Sequence, residues 1–133
     1  MKRRLLLPSI IAILVSIIFA GVVYATVYSK TFCYTHYIGG VRQWKHCSTV
    51  RFDWTGGAVK KADNGSQSFT AYVAKYSHTT YRKLCWEAYY ATAGSCQHGI
   101  NVYRDGVYQG LSWFDVKVTK VPNVWGWSHD WVR

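Results

Sequence analysis

The sequence predicts an all-β fold: a small antiparallel sandwich or barrel of about seven to nine short strands, stapled by two disulfides and preceded by an N-terminal signal peptide. Three observations carry this expectation. Apolar and polar residues alternate over strand-length stretches that are separated by glycine-bearing turns. Helix-type periodicity is weak throughout. The four cysteines, Cys33, Cys47, Cys85 and Cys96, all lie beyond residue 25, and an even count in a small exported domain is most simply two bridges.

The leader comes first along the chain. Met1, Lys2, Arg3 and Arg4 precede an apolar run from Leu5 to Val23, and Val23-Tyr24-Ala25 has the small or tolerated residues of a signal-peptidase site. The run is also just long enough to span a bilayer as an uncleaved anchor. The tripeptide favours cleavage, with a single secreted β domain, residues 26–133, as the product. No second long apolar run follows, so the released protein is not expected to be an integral membrane protein.

Pairing Cys33 with Cys47 sets an antiparallel register whose residue numbers sum to 80, which puts Gly40 at the centre of a turn in Tyr37-Ile38-Gly39-Gly40-Val41. Thr49 to Trp54 alternates, with Val50, Phe52 and Trp54 on one face, before a break at Gly56-Gly57. Asp63-Asn64-Gly65-Ser66 reads as a turn. Ser68 to Tyr76 and Leu84 to Ala91 read as extended. The bridge from Cys85 to Cys96 follows by elimination and is expected to close an irregular loop through Thr92-Ala93-Gly94-Ser95. Asp105-Gly106 supplies a type I′ hairpin turn, with a register summing to 211 that pairs Ile100 with Leu111, Val102 with Gln109 and Tyr103 with Tyr108. Phe114, Val116 and Val118 alternate with Asp115, Lys117 and Thr119, and the tail from Val124 to Arg133 holds three tryptophans.

Composition narrows function before any motif does. The chain is half apolar and 17% charged, too mixed for disorder or a low-complexity array. Without the leader it keeps a net charge of +7 and 21 aromatic residues in 108. That combination suits polyanions, anionic lipid or sugars.

Catalytic patterns are weak. Cys33, His36, His46 and Cys47 lack zinc-finger spacing and are expected to be bridged instead, so neither metal nor cofactor is implied. Ser128-His129-Asp130 places triad residue types in a row, but neighbours on an extended chain point to opposite sides. A glycosidase dyad would have to come from Glu87, Asp53, Asp63, Asp105, Asp115 and Asp130, several of them committed to turns or the outer face. A small ribonuclease is the enzyme class that fits best, with Glu87, His98 and Arg82 as base, acid and phosphate ligand. Nothing in their spacing demands it, and a specific nucleic-acid partner is not expected.

Three basic and aromatic groupings remain. Arg42, Trp44 and Lys45 with His46 lie on the second strand of the disulfide hairpin, with Arg42 and Trp44 two apart and therefore on one face. Lys75, Tyr76, His78, Tyr81, Arg82 and Lys83 form what reads as a loop. Trp125, Trp127 and Trp131 share a face if the tail is extended. The leading expectation is a non-enzymatic, antimicrobial or toxin-type protein that uses these residues on an anionic envelope polymer or membrane surface. The alternative is a lectin-like module that stacks the same aromatics on a glycan.

Overall fold

A computed structural model describes residues 26–55, 58–87, 93–119 and 125–133. Residues 1–25, where the leader is expected, the expected break at Gly56-Gly57 and residues 88–92 and 120–124 lie outside them. Among the described residues the fold is all-β and contains no helix. Seven strands run in chain order: β1 (Thr26–Ile38), β2 (Val41–Thr55), β3 (Ala58–Ala71), β4 (Tyr76–Glu87), β5 (Ala93–Arg104), β6 (Val107–Thr119) and β7 (Trp125–Val132). Each pairs antiparallel with its neighbour in sequence, except that the meander splits between β3 and β4 into sheets β1-β2-β3 and β4-β5-β6-β7.

The seven strands fall within the expected number but are longer than the turn signals suggest, because several of those signals are bulges inside continuous strands. Asp63-Asn64-Gly65-Ser66 is not a turn but part of β3. Thr49 pairs with Ser66 and Arg51 with Asp63, so Asn64 and Gly65 together oppose Val50. Gly65 takes φ +62° there, which glycine does at little cost. The stretch from Tyr76 to Lys83 is likewise strand β4, not a loop, with Tyr81 as its bulged residue. Ala93-Gly94-Ser95 begins β5 and is not irregular.

Both disulfides form, each between directly opposed residues, Cys33–Cys47 across β1 and β2 and Cys85–Cys96 across β4 and β5. The register summing to 80 holds from Thr26 to His36, and a bulge then moves the turn to Gly39-Gly40. In the β5–β6 hairpin the register of 211 holds at Tyr103–Tyr108 and Arg104–Val107. A bulge below it pairs Val102 with Gly110, Asn101 with Leu111 and Ile100 with Ser112.

The sheets stack face to face around two apolar clusters. The larger contains Phe32, Val50, Phe52, Val59, Phe114, Val116, Val118 and the Cys85–Cys96 bridge. The smaller contains Trp44, Tyr76, Ile100 and Val102. Side chains close both open edges. On one, Phe32 packs on Trp127 at 5.2 Å, Tyr34 stacks on His129 at 3.8 Å and His36 meets Trp131 at 5.4 Å. On the other, Gln67 Nε2 donates to the Arg82 carbonyl at 2.8 Å and Cys85 N donates to Asn64 Oδ1 at 3.1 Å.

Candidate functional site

A polar layer separates the two apolar clusters. His46 and Ser48 lie between Trp44 and Val50 on β2, His98 lies between Cys96 and Ile100 on β5, and Ser112 precedes Phe114 on β6; all four are fully buried. Gln67 turns its amide nitrogen to the Arg82 carbonyl, so its Oε1 accepts from His46 Nε2 at 2.9 Å. That tautomer leaves His46 Nδ1 to accept from the Ser112 hydroxyl at 2.8 Å, and Ser112 Oγ accepts from His129 Nε2 at 2.8 Å. In parallel, His98 Nε2 donates to the Asn64 carbonyl at 2.9 Å while Nδ1 accepts from the Ser48 hydroxyl at 2.7 Å.

Burial holds these imidazoles neutral. Desolvation pushes His46 down to about 4, against a partly offsetting hydrogen bond to Gln67. Desolvation likewise pushes His129 down to about 4, opposed by Asp130. His98 is lowered by burial, with its bond to the Asn64 carbonyl opposing and Lys83 reinforcing. Ser112 thus sits between two imidazoles, but it is fully buried and no carboxylate joins the chain of bonds, so a substrate has no access to it. Cys85, Cys96 and His98 have ligand atoms within 4.8 Å of one another, yet both sulfurs are consumed by the disulfide and offer no thiolate.

The residues singled out from sequence scatter over the molecule. Trp44 and Tyr76 are buried and offer no surface to a ligand. The bulge at Gln43 puts Arg42 opposite Tyr37 and Trp44 opposite His36, so Arg42 and Trp44 face opposite sides of the sheet. Lys45 is half-buried on the outer face of β2. Tyr81, Arg82 and Lys83 are exposed along β4, with Tyr81 edge-on to Trp113 at 6.0 Å and Arg82 Nη1 donating to Gln97 Oε1 at 2.7 Å.

Trp127 and Trp131 do occupy one face of β7, opposite Val116 and Ser112, but that face is the inner one. Trp127 rests on Phe32 and Phe114 and is still 51% exposed at the open edge; Trp131 is half-buried against Trp44 at 5.0 Å. The Trp125 side chain lies outside the described residues. Ser128 and His129 fall on opposite faces of β7, as do His129 and Asp130. Arg82 is outside the sheet and His98 inside it, which separates the ribonuclease candidates; the Glu87 side chain is not described. Cys33 and Cys47 face outward while His36 and His46 are buried, so the four do not gather around a metal.

What the fold does gather is at one end. In an antiparallel meander the β1–β2, β3–β4 and β5–β6 turns must share an end with the C-terminus. Backbone bonds tie the three turns together, Tyr72 N to the Gln43 carbonyl at 3.0 Å and Asp105 N to the Lys75 carbonyl at 2.9 Å. Tyr37, Ile38, Val41, Tyr72, Val107 and Tyr108 are exposed there, Val41 by 60% and Val107 by 64%. Arg42, Lys75, Arg104 and Arg133 stand among them and are exposed. Arg42 lies 5.8 Å from the Tyr72 ring and Arg104 lies 5.9 Å from the Tyr76 ring, and burial, reinforced by the Arg133 charge, disfavours protonation of His36. Asp105 is the one acid in the three turn segments. Of this set only Arg42, Lys75 and Tyr76 stood out in the sequence among the basic and aromatic groupings. Counting strands would have shown that alternate turns converge.

No family model matches the chain, and neither a curated protein nor a solved structure matches it.

Proposed function

We propose that the protein is an exported, non-enzymatic binder of anionic cell-envelope surfaces, of antimicrobial or toxin type, and that it engages them with its turn-bearing end. The observation that carries this reading is the coincidence of exposed aliphatic and tyrosine side chains with three cations and a single acid on the three turns at one end of the sandwich. Each cation near an anionic leaflet contributes about 1 kcal/mol and the field decays within a Debye length, so attraction from the net two charges of the turns is about 2 kcal/mol at moderate salt. Val, Ile and Tyr side chains at hairpin tips can enter the headgroup region without unfolding anything, because both β-turns are already exposed. Two disulfides fit an oxidising compartment, and among the described residues no helix is long and apolar enough to cross a membrane.

The test is co-sedimentation of the disulfide-bonded protein with vesicles of phosphatidylglycerol and phosphatidylcholine, against vesicles of phosphatidylcholine alone. Binding should require the anionic lipid, weaken steeply as salt is raised, and fall about a thousandfold in Arg42→Glu/Arg104→Glu, where two charge reversals change the surface interaction by roughly 4 kcal/mol. Ile38→Ser/Val107→Ser should weaken it without altering the salt slope. Equal binding to both vesicle types, or none to either at low salt, refutes the reading.

A further inference from the structure

The outer face of the four-stranded sheet carries a second surface, away from the turns. Two rows of residues cross it side by side. Trp86, Ser95, Lys117 and Gly126 are paired in one row, and Leu84, Gln97, Asp115 and Ser128 in the next. Between them the sheet forms a depression of about 670 Å³, lined by Trp86, Ser95, Gln97, Asp115, Lys117 and Ser128, with Gly126 in its floor.

The polar groups in this depression are held in set orientations. Gln97 Oε1 is occupied by Arg82 at 2.7 Å, which leaves the amide N–H groups to donate. Asp115 Oδ2 is occupied by Trp113 Nε1 at 2.8 Å, which leaves Oδ1 to accept. Ser128 offers a hydroxyl that both donates and accepts, and Lys117 an exposed ammonium that forms no ion pair among the described residues. Trp86 stands at the rim, 38% exposed. A Cβ on Gly126 would meet nothing within 4 Å, so the floor stays open because that residue has no side chain.

An accepting carboxylate oxygen, a donating amide and an ammonium beside an indole match one ligand class closely. A pyranose presents neighbouring hydroxyls, each both donor and acceptor, around a ring whose C–H face packs on an aromatic plane. A flat apolar ligand would leave the polar groups unpaired, and a simple polyanion would meet Asp115. We propose that this depression is a binding site for a single hexopyranose residue of an envelope glycan. Lys117 extends the choice to sugars bearing a carboxylate, so neutral and acidic pyranoses are the two sources to be separated.

The experiment is a titration of the ¹⁵N-labelled, disulfide-bonded protein with three probes, chitotriose, maltotriose and a glucuronate-containing disaccharide, followed by amide and indole N–H shifts. At least one probe should give saturable shifts confined to residues 84–86, 95–97, 115–117 and 126–128, including the Trp86 indole and the Gln97 side-chain amide. A dissociation constant of about 1 mM is ordinary for one such residue. Gly126→Leu fills the floor from an open position and should weaken binding about tenfold or more while leaving the melting temperature unchanged. Lys117→Met should weaken the glucuronate probe alone, and its equal effect on all three would assign Lys117 to neutral rings. Shifts that do not saturate with any probe by about 50 mM, shifts centred elsewhere, or Gly126→Leu binding as well as wild type would each overturn the proposal. Arg42→Glu/Arg104→Glu should leave sugar binding intact, so loss of either activity is read independently of the other.

Discussion

Acid should unfold this protein, and the size of the effect follows from its buried imidazoles. His46 is fully buried, and its neighbours are Gln67 and Ser112, the Phe114 ring at 5.0 Å, and the imidazoles of His129, His98 and His78. None is a carboxylate able to stabilise the charged form. Folding moves His46 from an ordinary 6.5 to about 4. The unfolded chain therefore binds a proton more readily than the folded one, and stability falls as pH drops through that window. The stability is complete above pH 6.5, is lost between there and about 4, and is level below. For His46 alone the loss is about 2 kcal/mol at pH 5 and about 3 kcal/mol at pH 4.

His98 and His129 shift in the same direction and add to the loss, the latter discounted because it is part-exposed. Against a total stability of about 5 to 15 kcal/mol, that is enough to unfold a domain at the lower end of the range. The assay is urea unfolding from pH 7.5 to pH 4 on wild type and on His46→Phe. The variant is expected to be weaker at neutral pH, since Ser112 and Gln67 lose a partner, but its stability should depend on pH less steeply by about 2 kcal/mol between pH 7 and pH 5. A wild-type stability that is flat over that range, or a variant with an unchanged slope, would refute the reasoning.

Two further substitutions test the fold. Gly65→Ala forces a side chain into the left-handed region and against the Thr49 carbonyl, and should cost about 2 kcal/mol or more in urea unfolding; a loss below about 0.5 kcal/mol would mean that β3 has no bulge there. Replacing Cys33 and Cys47 together by serine opens a bridge with a sequence separation of 14, with an expected loss of about 3 kcal/mol in the chain-entropy account. An unchanged urea midpoint in the double variant would show that the hairpin is held by its ladder alone.

The sequence reveals class and local pairing better than faces. Cys33 and Cys47 gave the first hairpin its register because a disulfide across antiparallel strands needs opposed residues. Asp105-Gly106 gave the second hairpin its turn for a conformational reason, Asp105 and Gly106 both having positive φ. Phe114, Val116 and Val118 are buried as their alternation requires. Two errors lie at strand ends, since Ala93-Gly94-Ser95 is strand and the run expected from Ser68 to Tyr76 is broken by a turn at Tyr72–Lys75; the others begin at a bulge, where one extra residue flips the alternation from there on. At Gln43 it separates Arg42 from Trp44, below Tyr103 it replaces Leu111 by Ser112 opposite Ile100, and at Asn64-Gly65 it turns an apparent loop into strand. Trp44 and Trp131, both expected on a binding surface, are buried and half-buried instead. The turn-bearing end and the Trp86 depression were hidden for a different cause: both are assembled from strands far apart in sequence.

The polar layer costs stability, and its geometry indicates what it supplies. The main body of the two sheets stacks through side chains, and apolar contacts alone tolerate sliding by a few tenths of an ångström or exchange of one registry for another. Hydrogen bonds do not. His46 on β2 needs Gln67 on β3 and Ser112 on β6, while His98 on β5 needs Ser48 on β2 and Asn64 on β3. A shift of either sheet by one residue pair along the strands would strand several buried donors and acceptors, at about 1 to 3 kcal/mol each. The layer therefore sets the two sheets in a single alignment, as fully satisfied buried networks do. That alignment decides whether the β1–β2 turn from one sheet and the β5–β6 turn from the other meet the β3–β4 turn at a common level. Tyr72 on Gln43 extends the β2–β3 ladder and Asp105 on Lys75 the β4–β5 ladder, so the β3–β4 turn is anchored to both sheets at that level. Charging the layer with acid should thus disperse the turn-bearing end together with the core, and vesicle binding should be lost over the same pH range as the urea-measured stability.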